Sequence, residues 1–133
     1  MTKKLESLED SKIYHTSIED CKDWFLTLNE ELFDNMLPEV DIIDIRWRRK
    51  TWAYYQYIPG DNTAETKLCI SKRYESEKFF VEILAHELIH HYQNIYNDGM
   101  DEVDHGESFM KWKTKFNNKG INLVESYEDE KQS

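Results

Sequence analysis

The chain has 133 residues and 16.1 kDa, enough for one hydrophobic core and too little for two. Hydrophobic residues at 39% and aromatics at 14% exclude an unstructured chain, and four Gly with two Pro exclude collagen-like and low-complexity classes. A net charge of -10 argues against a general nucleic-acid coat, and two Cys exclude a disulfide scaffold or a four-Cys zinc ribbon.

From the N-terminus, residues 1–12 mix lysines and acids without an apolar stretch, so no secretory leader is expected. No apolar run approaches the roughly 20 residues that a membrane helix needs. A cytoplasmic, reducing setting is expected, with Cys21 and Cys69 packed as small hydrophobes. A helix is predicted from about Ser17 to Met36. Its apolar stripe is Ile18, Cys21, Trp24, Phe25, Leu28, Leu32 and Phe33, at three- and four-residue spacing. Ser17 reads as the N-cap, Asp20 as an acid in the first turn, and Pro38 as a stop.

A strand-rich section follows. Ile43, Ile45 and Trp47 alternate with Asp44, Arg46 and Arg48, which predicts a strand with its aromatic face buried and its basic face in solvent. Trp52 to Ile58 is aromatic and strand-favouring, 59–62 reads Pro-Gly-Asp-Asn and predicts a turn, and Thr66 to Ser71 returns as a partner strand. The expectation is a small, mainly antiparallel sheet of two or three strands. A second helix is predicted from about Glu75 or Ser76 to Asn97. Phe79, Phe80, Ile83, Leu84, Leu88 and Ile95 form its buried face, and Gly99 caps it. After an acidic loop, a third helix from Glu107 to Asn118 buries Phe109, Trp112 and Phe116 and ends at Gly120. A polar tail runs from Glu125. The fold class is α+β: one domain over 1–133, with its core at about 17–124.

The chemistry lies inside the second helix, in His86-Glu87-Leu88-Ile89-His90. Histidines four apart on a helix project from one face, a turn apart. That spacing suits two imidazoles on one Zn2+ at about 2.0–2.1 Å each. Glu87 is placed as a general base rather than a ligand. A catalytic zinc needs a third protein ligand. The metzincin pattern is excluded, because Gln93 and Tyr96 stand where it requires Gly and His. His105 is the favoured third ligand; its rivals are the carboxylates of Asp101, Glu102, Asp104 and Glu107. His91 is rotated about 100° from His90 and faces away from the metal. His15 stands alone in a polar segment. For the second donor to an oxyanion, a Tyr from 54–57 or Tyr92 is the candidate.

These blocks resemble the SprT-like metalloproteases, which include the Spartan-type proteases that cut proteins crosslinked to DNA. The resemblance runs from about Ile18 to Leu123. It rests on Leu28-Asn29 through Phe33 with Leu37-Pro38, a strand pair, His86-Glu87-x-x-His90, His105-Gly106-x-x-Phe109, and Lys119-Gly120-Ile121. It implies a minimal zincin-like domain and one Zn2+ per chain on His86, His90 and His105. It also implies Glu87 as the base for a zinc-activated water, and protein substrates, among them proteins associated with nucleic acid. The chain departs from longer members in having no CxxC zinc ribbon.

A second motif runs Arg46-Trp47-Arg48-Arg49-Lys50-Thr51-Trp52. Arg46, Arg48, Arg49 and Lys50, interleaved with aromatics, can contact phosphates or an extended substrate. The leading functional reading is a zinc metalloendopeptidase. Its rival is a non-catalytic zinc-stabilised module that docks on protein or nucleic acid. Charge separates along the chain in a way that suits a cation: residues 79–110 contain seven acids and no Lys or Arg.

Overall fold

The computed structural model of the chain describes residues 4–47, 51–60, 64–96 and 106–123. A short strand β1 (Tyr14–His15) leads into helix α1 (Ile18–Leu32). Ser17 caps α1 as expected, its side chain accepting the Asp20 N–H at 3.1 Å. Cys21, Trp24, Phe25, Leu28 and Leu32 are buried, whereas Ile18 in the first turn is exposed.

Helix α1 stops four residues short of Met36. Asp34 and Asn35 take φ of 53° and 60°, and these residue types tolerate the left-handed region best after Gly. The Asn35 N–H turns back to the Asn29 carbonyl at 2.8 Å. The same Asn29 then holds the chain that follows. Its side-chain amide donates to the Leu37 carbonyl and its side-chain oxygen accepts the Leu37 N–H, each at 3.0 Å. That pairing explains why Leu28-Asn29 and Leu37-Pro38 occur together. Both Leu37 groups are buried and lose their partners together in Asn29→Ala. At about 1–3 kcal/mol per stranded group, a loss of about 2–6 kcal/mol is expected, read as a lower urea midpoint. An unchanged midpoint would show that the bend does not depend on the amide.

The main sheet has strands β2 (Ile42–Arg46), β3 (Ala53–Ile58) and β4 (Glu65–Ser71), in the order β2-β4-β3. β3 and β4 form the antiparallel hairpin that the sequence suggests, with Tyr55 opposite Leu68. β2 instead runs parallel to β4, with Ile43 beside Leu68, so this sheet is mixed. β4 lies at the centre, and its Leu68, Cys69, Ile70 and Ser71 are buried in succession. A strand buried on both faces takes the middle place. Alternation in β2 fixes its face but carries no information on its direction. Ile43 and Ile45 do pack on the core. Trp47 does not: it lies beyond the end of β2 and is 64% exposed. A second, two-stranded sheet joins β1 to β5 (Arg73–Tyr74), antiparallel.

Helix α2 (Glu77–Tyr96) is capped by Ser76, whose Oγ accepts the Phe79 N–H at 3.0 Å. Every residue from Phe80 to Ile89 is buried, not one face only, while Ile95 near the end is exposed. The helix is central: α1 and β3 lie against it, and the chain after residue 106 covers it further. A helix in that position is normally apolar all round. This one carries Glu82, His86, Glu87 and His91 in its buried stretch.

The third predicted helix is two short ones, α3 (Glu107–Met110) and α4 (Lys113–Asn118). The break is a tightened turn in which the Trp112 N–H reaches the Phe109 carbonyl at 3.2 Å, three residues back. Phe109, Trp112 and Phe116 still point inward. Gly120, at φ +78°, ends α4 as expected. Beyond it, the Asn122 N–H donates to the Glu82 carboxylate at 3.0 Å and ties the segment to α2. Gly99, Asp61, Asn62 and the tail from Glu125 lie outside the described residues.

Candidate metal centre

Helix geometry brings His86 and His90 together. Their ring centroids are 5.0 Å apart and nearly perpendicular, at 70°. His86 is buried and His90 is partly exposed, so the pair runs from the core toward the surface. Glu87 is 4% exposed, and its Oε2 lies 4.0 Å from His86 Nε2. Phe109 of α3 packs on both imidazoles, with centroids 4.8 Å from His86 and 5.3 Å from His90. The helix that begins two residues after His105 therefore docks on the histidine pair.

The donor set fits zinc, a borderline-soft ion commonly bound by imidazole. Two imidazoles share one helical face, and a buried carboxylate stands beside the first. Among the described residues, no group of three or more His, Cys, Asp or Glu is gathered for a metal. His105 lies outside the described residues, as do Asp101, Glu102 and Asp104; Glu107 is exposed at the start of α3. His15 is exposed on β1.

His91 faces away from the pair, as its rotation predicts, and it is wholly buried. Its Nδ1 is 2.7 Å from the Tyr55 hydroxyl, and its Nε2 is 2.8 Å from the Pro38 carbonyl. Burial lowers its pKa below the ordinary histidine value, which keeps the ring neutral. Burial likewise pushes the Tyr55 hydroxyl up to about 12. Tyr55 is thus committed to His91 and cannot also serve an oxyanion. Tyr92 packs among the rings of Phe33, Trp112 and Tyr96. Sequence reasoning missed the packing of Phe109 on the histidine pair and the bonds of His91 to Tyr55 and Pro38. The only available signals were the His105-Gly106-x-x-Phe109 block and a third histidine on a buried helix.

Of the four basic residues singled out, Arg46 is exposed and pairs with Asp44 of its own strand at 2.6 Å. Arg48, Arg49 and Lys50 lie outside the described residues. Next to Arg46, Trp47 has Lys72 Nζ at 5.8 Å and the Arg73 guanidinium at 5.6 Å from its ring. Elsewhere, a cavity of about 170 Å³ opens between α1 and the sheet, lined by Cys21, Phe25, Val40, Ile43 and Leu68 among others. No residue of α2 lines it, so it is separate from the histidine pair. No helix among the described residues is long and apolar enough to cross a membrane.

No curated protein matches the chain. The sequence profile of the SprT-like family does, over residues 21–129. That span holds α1 from Cys21 onward, the mixed sheet, the histidine pair and the Phe109 segment packed on it. The chain belongs to the SprT-like family, a family of metalloprotease-type domains.

Proposed function

We propose that the chain is a zinc-dependent endopeptidase, with one zinc held by His86, His90 and His105 and with Glu87 as general base. The observation that carries this reading is the meeting of the two imidazoles, 5.0 Å apart, on a buried turn that also holds the Glu87 carboxylate. Support for His105 comes from Phe109, which follows it by four residues and packs on both rings. When bound, zinc supplies a Lewis acid that brings the pKa of a water from about 15.7 to about 7. Glu87 takes the proton as the water attacks a peptide carbonyl, then passes it to the leaving amine. Its burial keeps the carboxylate in a fixed place and limits competition from bulk water. The substrate is a protein chain, and family membership extends the proposal to proteins associated with nucleic acid.

Metal analysis and hydrolysis of an unfolded protein substrate test this together. The wild type is expected to hold one zinc, to lose hydrolysis on chelation and to regain it when zinc is returned. His105→Ala is expected to lose both the metal and the hydrolysis. Full zinc in His105→Ala would transfer the third position to a carboxylate. A wild type that takes up no zinc would end the proposal.

One observation favours a second reading, the zinc-stabilised binding module. Trp47 is exposed beside Arg46, Lys72 and Arg73, an arrangement suited to stacking on a base while cations meet phosphates. On that reading zinc removal unfolds the domain, and Glu87→Gln changes nothing measurable.

A further inference from the structure

The proposed chemistry uses His86, Glu87 and His90 and leaves His91 without a task. Yet His91 is the most completely buried of the described histidines on α2, and both of its ring nitrogens are bonded. The direction of each bond can be worked out. The Pro38 carbonyl can only accept, so Nε2 carries the hydrogen. In a neutral ring Nδ1 then accepts, and the Tyr55 hydroxyl donates to it. The Tyr55 oxygen accepts in turn from Asn94 Nδ2 at 3.1 Å. Donation therefore runs one way, from Asn94 to Tyr55 to His91 to Pro38.

Three elements meet through this chain. His91 and Asn94 belong to α2, Tyr55 to the edge strand β3, and Pro38 to the segment after α1. The Pro38 segment is itself fixed, because the neighbouring Leu37 is held at both backbone groups by Asn29. The clamp closes on the residue next to His90. A helix moves as a body, so a small turn or slide of α2 displaces His86, Glu87 and His90 together. Apolar packing around α2 resists such slips through shape alone, because a Leu or Ile contact has little directional preference. Hydrogen bonds of 2.7 and 2.8 Å with a fixed donor order resist them strongly. Phe109 braces the histidine pair, and the His91 side chain anchors a face of α2 about 100° round the helix from His90.

We infer that His91, with Tyr55 as its hydrogen-bond donor, is a positioning residue of the proposed metal centre: it fixes the rotation and depth at which α2 presents the His86 and His90 pair to the segment led by Phe109. This inference rests on the zinc endopeptidase reading. A histidine that merely fills the core would lower stability when altered and leave the metal affinity of the folded protein as it was.

Tyr55→Phe is the cleanest variant, since it keeps the ring packed 5.2 Å from His91 and removes only the hydroxyl. His91→Gln and His91→Leu compare a side chain that can still donate with one that cannot. Zinc affinity is measured on the full chain by competition with a chromophoric chelator, at a temperature where circular dichroism shows each variant folded. Tyr55→Phe is expected to weaken zinc binding about 10-fold, the low end for loss of an outer partner of a metal site. Its kcat is expected to fall with little change in KM. His91→Gln is expected to bind zinc more tightly than His91→Leu. If Tyr55→Phe and His91→Gln are folded and bind zinc as the wild type does, the inference is overturned and the endopeptidase reading stands. If the wild type binds no zinc, both fall. Should His91→Leu not fold, Tyr55→Phe still decides.

Discussion

Glu87→Gln is expected to leave the fold and the zinc content unchanged and to lower peptide hydrolysis by about 10²–10⁴-fold, the usual contribution of a general acid–base group. Gln has nearly the volume of Glu, and the position is 4% exposed, so a smaller residue would open a cavity there. A carboxamide cannot take up a proton near neutral pH, so the variant loses the base and little else. The ligands proposed for zinc are His86, His90 and His105, and none is altered. Metal analysis beside kcat on an unfolded protein substrate reads the two quantities apart. Hydrolysis at the wild-type rate would sink the assigned role of Glu87 and favour the binding-module reading. Loss of zinc along with activity would instead mark Glu87 as part of the ligand set.

Phe109→Ala is expected to lower stability by about 3–5 kcal/mol, as for other large-to-small changes of a buried Phe. Phe109 is wholly buried and touches both proposed ligands on α2, at 4.8 Å and 5.3 Å between ring centroids. Its removal leaves a void against the histidine pair and loosens the packing of α3 onto them. Zinc affinity should therefore fall with stability. Phe109→Leu refills most of the volume without the flat ring and should fall between. Urea titration with and without zinc measures both effects. A change below about 1 kcal/mol would mean that the site collapses around the gap, or that α3 does not depend on this contact.

Both experiments concern features of different legibility. Glu87 could be singled out directly, because the role proposed for it rests on its place between two histidines four residues apart. Phe109 could not. It reads as a core aromatic on a short amphipathic helix, and only its docking shows that it packs on the His86 and His90 rings. Trp47 illustrates the opposite error. Alternation with Ile43 and Ile45 placed it inside, but the strand ends at Arg46, and Trp47 stays at the surface beside Lys72 and Arg73. The end of α1 was misjudged for a related reason. The apolar stripe reached Phe33 and Pro38 marked a limit, but the actual stop depends on Asp34 and Asn35 adopting left-handed backbone and on a bond back to Asn29.

By itself, the sequence determined what is local. Ser17 and Ser76 begin their helices and Gly120 ends one, because caps bond within three or four residues. His86 and His90 meet because one turn of helix separates them, whatever surrounds it. Tertiary structure alone decided what depends on distant partners. The central place of β4 goes with its burial on both faces, and the parallel course of β2 shows only in its pairing with β4. The all-round burial of α2 follows from being covered on opposite sides. The clamp on His91 joins residues 36 and 53 positions apart in the chain. No periodicity in a sequence records such a pairing, because side chains so far apart are brought together only when the elements between them pack.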